Sequence, residues 1–198
     1  MVTLSDVVEV FDQLYPPELA ESWDAVGLVC GDPSTDVRKV YFCVDVVAAT
    51  VDEALNWGAD LLVAHHPLLL RGVSAIPTTT PKGRTLHRLI RAGAGLFVAH
   101  TNADSADPGV SDALAARLEL RDLRPLHPHP EGGNVGIGRV GTLPTALTLA
   151  ELAETASAAL PPTPGGIRFA GDPDRIVRTV AVSGGAGDSY LADAPRAG

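Results

Sequence analysis

Cysteine is scarce: Cys30 and Cys43 are the only two in 198 residues, and they do not form a C-x-x-C pair. That excludes a disulfide framework and leaves the expectation of two buried free thiols. No apolar run approaches the ~20 residues of a membrane span. The N-terminal MVTLSDVVEV also lacks the basic start and apolar core of a secretory leader, so the expected location is the cytoplasm. Positive charge is short as well, with 15 Lys and Arg against 24 Asp and Glu and a formal net charge of −9. Such a balance disfavours a broad nucleic-acid or anionic-lipid surface. With 45% hydrophobic and 20% charged residues, the chain is long enough for one ordinary core or two small ones.

Leu4, Val7, Val8, Phe11 and Leu14 recur at helical spacing before Pro16-Pro17 and predict an amphipathic helix. A loop is expected through Glu21–Leu28. Val40–Val46 reads as a buried strand, and Thr50-Val-Asp-Glu53 as a capping box opening a helix that Gly58 closes. Asp60–Ala64 predicts a second strand, Lys82–Ala92 a helix closed by Gly93, Leu96–Ala99 a third strand and Val110–Leu118 a further helix. Strands alternating with helices imply right-handed crossovers and a mostly parallel α/β sheet, with ligands gathered at the carboxyl ends of its strands. After a Pro-rich loop at Pro125–Pro130, Val135–Val140, the capping box Thr148-Leu-Ala-Glu151 and Arg178–Ser183 suggest a second lobe. The expected division is 1–126 and 127–198.

Two of only six histidines, His65 and His66, end an apolar strand, and His100-Thr-Asn-Ala-Asp104 follows the next. An isolated histidine at a strand end is ordinarily a packed or surface residue. Here the doublet interrupts an aliphatic strand, so both rings must be solvated, hydrogen-bonded or ligated, and the second group adds an acid. Imidazole and carboxylate suit zinc, manganese or iron(II). Pro67 biases His66 towards extended backbone, where neighbouring side chains point opposite ways; two ions are then easier to place than one gripped by both rings.

In Ser22-Trp-Asp-Ala-Val-Gly-Leu28, Ala64-His-His-Pro67 with Arg71-Gly72, His100-Thr-Asn-Ala-Asp104 with Gly109-Val-Ser-Asp112, Gly136-Ile-Gly-Arg-Val-Gly141 and Val182-Ser-Gly-Gly-Ala-Gly187, taken in order, the chain resembles the GTP cyclohydrolase I type 2 homologues, or NIF-three-like proteins. The likeness spans nearly the whole chain. It implies a two-lobed α/β fold with a dinuclear metal centre between the lobes and assembly as a homohexamer. Carried over by position, His65, His66 and Asp104 match metal ligands, while His100 and Asp24 match positions beside the site and are assigned to substrate binding. Catalytic residues are left unassigned.

The resemblance also implies a late His and Glu as further ligands, and no histidine lies beyond His129. The expectation is therefore a second lobe that is incomplete, in a fragment or a prematurely ended member. The inserted domain of longer members is expected to be absent, since Asp122–Leu126 runs almost directly into the Gly136 motif. Gly184–Ser189 lacks the marks of a phosphate-binding fingerprint and is read as a tight turn. His127 and His129 are expected in an exposed loop. His87, beside Arg84, Arg88 and Arg91, is expected on a solvated helix face that a phosphate or a partner subunit could meet. Asp45 is open to two readings, a loop-structural residue or an acceptor supporting the site. The functional expectation is a hydrolase using two divalent ions on a nucleotide or related polar small molecule. The rival is a non-catalytic metal-binding scaffold.

Overall fold

The computed structural model describes residues 1–130, 132–190 and 192–196. The chain folds as two units, 1–103 and 104–198. The boundary read from the sequence, between residues 126 and 127, falls inside a strand.

In the first unit, α1 (Leu4–Leu14) starts at a capping box: the Thr3 hydroxyl accepts from the Asp6 N–H and the Asp6 carboxylate accepts from the Thr3 N–H. Strands β1 (Gly27–Cys30), β2 (Val40–Cys43), β3 (Leu61–Ala64) and β4 (Gly95–Val98) form one sheet in the order β1-β4-β3-β2. Helix α2 (Ala48–Trp57) connects β2 to β3, and α3 (Pro81–Ala92) connects β3 to β4. Both helices end on a left-handed glycine, Gly58 and Gly93, as expected. The Thr50–Glu53 capping box is not used, because α2 begins earlier with Val47 at its N-cap.

Every residue of β3 and β4 is buried, because each sheet face carries its own core. Leu62, Ala64, Leu96 and Val98 pack with Val51, Ala54, Leu86 and Leu89 of α2 and α3. Leu61, Val63 and Phe97 pack with Leu4 and Phe11 of α1. This two-sided burial explains the near-continuous apolar runs. Strands β2, β3 and β4 are parallel, in the register Cys43↔Ala64↔Val98, and β1 runs antiparallel to β4 with Gly27 opposite Val98. The carboxyl ends of β2, β3 and β4 and the start of β1 thus lie along one edge.

The second unit begins within α4 (Thr101–Ser105) and continues through α5 (Val110–Arg117), β5 (Arg121–Pro128), β6 (Gly136–Thr148), α6 (Leu149–Ala159) and β7 (Ile176–Val182). Its sheet, β5-β6-β7, is antiparallel throughout, so the expectation of mostly parallel sheets holds only for the first unit. Among the described residues no helix crosses between β5 and β6, and the short link between them leads straight back along β5. The Pro125–Pro130 loop is a correction too, since most of it is β5. The Thr148–Glu151 capping box does open α6. Beyond Gly187 the described residues form two short 3-10 turns, Asp188–Tyr190 and Ala194–Arg196.

Arg139 of β6 is the largest fully buried side chain of the second unit and uses all five of its N–H donors. Nε and Nη2 grip the Asp112 carboxylate oxygens, each at 2.7 Å; Nη1 donates to the carbonyls of Gly136 and Gly138, and Nη2 also to that of Ala106. Asp112 in turn accepts from the Gly109 N–H at the head of α5. Gly138 has φ +68°, and a Cβ there would lie 2.8 Å from the Val182 carbonyl, which is why this clamp is flanked by glycine.

Candidate metal site

Three strand ends and one strand start supply the polar groups along the edge of the first sheet. Asp45 follows β2, His65 and His66 follow β3, His100 follows β4, and Asp24 precedes β1. The three imidazoles each offer a ring nitrogen, and these atoms all lie within 4.8 Å of one another. Ring centroids are 5.2 Å apart for His65 and His66, 5.0 Å for His65 and His100, and 5.6 Å for His66 and His100. His65 and His66 therefore converge, contrary to the expectation that they diverge. Strand β3 ends at Ala64, and the chain bends at both histidines, so strand alternation no longer applies. Their N–H groups nonetheless extend the ladder, donating to the Cys43 and Val44 carbonyls at 3.1 and 2.8 Å.

Each ring is oriented through Nδ1. His65 Nδ1 donates to the Ala99 carbonyl at 3.0 Å, His66 Nδ1 to Asp45 Oδ1 at 2.8 Å and His100 Nδ1 to Asp24 Oδ1 at 2.9 Å. A carbonyl oxygen can only accept, and an ionised carboxylate likewise. In the neutral ring the lone pair then sits on Nε2, the arrangement in which a metal-binding imidazole is held by an acceptor behind it. A cluster of three nitrogen donors so oriented fits a zinc, manganese or iron(II) ion.

The two carboxylates differ. Asp45 and His66 are both open to water, with side-chain exposures of 62% and 48%, whereas the Asp24 carboxylate is sealed at 0% although its backbone is partly exposed. Burial pushes the Asp24 carboxyl up, but hydrogen bonds from the Thr101 hydroxyl, His100 and the N–H groups of Thr101 and Ala25 outweigh it and hold the group below the ordinary aspartate value. Asp24 is thus an anion that fixes His100, with its carboxylate closed to water. His100 itself joins the histidine cluster. Trp23 stands edge-on to it at 6.0 Å and is 56% exposed.

Asp104 opens the second unit on α4 and is half-buried; a Cβ on Gly184 would lie 3.4 Å from its Oδ1, so it faces the glycine-rich turn. That turn leads only into a 3-10 turn, in keeping with its reading as structural. His127 lies on β5, where its Nδ1 pairs with Asp193 at 2.9 Å and its ring meets Tyr190 at 4.9 Å. His87 is exposed on α3. Both cysteines are free but half-buried rather than buried, and desolvation raises both thiols above their ordinary value, which makes them poor nucleophiles. Sequence reasoning missed Arg139 and Asp112 as a unit; only their presence in two glycine-bearing motifs hinted at them.

A mixed α/β protein with a histidine cluster at the carboxyl ends of parallel strands is the class these features define. The chain belongs to the Duf34/NIF3 (NGG1p interacting factor 3) family, whose model matches residues 2–198. It is 56% identical over 193 residues to a GTP cyclohydrolase 1 type 2 homolog of Streptomyces coelicolor, covering 96% of this chain and 68% of that protein. A protein of the same name from Mycobacterium tuberculosis is 37% identical over 297 aligned positions, covering 96% of this chain and 78% of its own length. That alignment is longer than this chain, so the relative carries intervening residues that this chain lacks. Among solved structures, a Bacillus cereus protein related to NIF3 shares the fold with a TM-score of 0.87 at 24% identity, over 99% of this chain and 80% of its own.

Proposed function

We propose that this protein is a divalent-metal-dependent hydrolase acting on a nucleotide or related polar small molecule. The observation that carries the reading is the convergence of His65, His66 and His100, each with Nδ1 already committed to an acceptor. A bound divalent ion would polarise a substrate oxygen and make a water more acidic. The chain's own part is to present the three nitrogens, with Asp24, Asp45 and the Ala99 carbonyl holding the rings. Asp104 as a carboxylate ligand, a second ion and a homohexameric assembly belong to this proposal and follow the family resemblance; a cytoplasmic location is proposed with them. GTP is the first substrate to try, because the relatives at 56% and 37% identity bear the name GTP cyclohydrolase 1 type 2 homolog.

The test is elemental mass spectrometry of the purified protein beside His65→Ala, followed by turnover assays of the metal-loaded protein with GTP. Bound zinc, manganese or iron that is lost in the variant, together with hydrolysis, supports the reading. A folded wild-type protein that takes up none of these metals would sink it. Tight metal binding without turnover of any nucleotide would favour the scaffold.

A further inference from the structure

We propose that the cavity between the start of α2 and the first two turns of α3 is a phosphate-binding subsite for the ligand held at the histidine cluster. It encloses about 380 Å³ and is lined by Val46, Val47 and Leu68 together with the cationic side chains Lys82, Arg84 and Arg88. It adjoins the histidines along the chain: Val46 follows Asp45, which holds His66, and Leu68 is two residues beyond His66.

Its charge runs against that of the whole protein. No Asp or Glu occurs between Asp60 and Asp104, although the chain carries 24 acids and a net charge of −9. The same interval holds Arg71, Lys82, Arg84, Arg88 and Arg91, so α3 contributes cations and no acid. Arg88 pairs with Asp52 of α2, and Arg84 Nε donates to the Thr78 carbonyl at 3.3 Å, which leaves its terminal nitrogens for a ligand. The Lys82 side chain has no ion pair among the described residues and is exposed at the rim. Three cations around one small cavity suit a compact oxyanion of charge two or more better than a single carboxylate. A planar guanidinium accepts two phosphate oxygens, and the lysine adds a point charge.

The inference rests on the proposed hydrolase only in treating the phosphate as part of a substrate; the pocket is tested without metal. Metal-free protein of all 198 residues would be titrated with inorganic pyrophosphate and followed through the amide resonances of Val47, Ala48 and Thr85. Saturable shifts that weaken with added salt are expected, with binding about tenfold or more weaker in a Lys82→Gln, Arg84→Gln double variant. Both residues are exposed, so the variant should fold, and its circular dichroism would confirm it. His65→Ala should bind pyrophosphate as the wild type does, which separates failure of the metal reading from failure of this one. GTP should move the same amides and guanosine should not. Absence of saturable shifts, equal affinity in the double variant, or GTP leaving these amides unmoved would each overturn the assignment.

Discussion

The two units each organise a strong polar cluster, and they complete it in opposite ways. In the second, Arg139 directs five N–H groups onto five oxygens, and Asp112 uses its carboxylate both for that clamp and for the head of α5. In the first, each of three imidazoles turns Nδ1 towards an acceptor, which in the neutral ring places the lone pair on Nε2. A saturated guanidinium has nothing left to offer a ligand, so its role is to hold β6 and α5 together. Burial and hydrogen bonding therefore do not distinguish a structural cluster from a binding one. The chemistry of the groups does: a guanidinium can only donate, whereas a neutral imidazole also carries a lone pair that can coordinate.

The largest expected effect breaks the saturated cluster. Arg139→Met removes one partner of a buried ion pair and leaves Asp112 and three carbonyls without their donor, which should cost about 3–5 kcal/mol of stability. Urea denaturation of the two proteins would measure it; a loss under about 1 kcal/mol would mean that water replaces the guanidinium. The next effect sharpens the contrast within the histidine cluster. Asp24→Asn should lower metal affinity by about 10- to 100-fold, because it weakens the acceptor that fixes His100 in a site closed to water. Asp45→Asn, at an exposed acceptor, should lower it less. Competition with a chelating dye would give both values, and equal effects would show that burial does not set the difference.

The smallest effect concerns the second unit alone. Glu151 accepts from the Thr148 N–H and hydroxyl, which hold its carboxyl below the ordinary glutamate value of 4.5. A depressed folded value means that its support of α6 is fully present above pH 4.5 and is lost as pH falls through the lower, folded value. Carboxyl resonances followed through an acid titration should place Glu151 below an unbonded glutamate, and Thr148→Ala, which removes the hydroxyl but keeps the N–H, should shrink the difference without abolishing it.

Much of the first unit was legible because its strands are buried on both faces. Leu61–Ala64 and Leu96–Val98 read as apolar runs, Gly58 and Gly93 marked helix ends, and placing both histidine groups beyond neighbouring parallel strands located the cluster. The second unit was less readable. β5 contains Pro125 and Pro128 and exposes five of its eight residues, so its pattern is that of a loop until β6 is laid against it. Thr50–Glu53 and Thr148–Glu151 have the same pattern, but only the latter caps a helix. The Asp24–His100 pair spans 76 residues, a separation that no local spacing rule reports. The convergence of His65 and His66 was hidden because the bend at the end of β3 is a tertiary feature.

The three orienting contacts are also unequal before sequence change. Asp24 and Asp45 are side chains, and a single codon can abolish either one together with the tautomer it imposes. The oxygen that holds His65 belongs to the main chain of Ala99, so whatever residue stands there still supplies it. As sequences drift apart, His65 is the ligand whose presentation survives as long as β4 does.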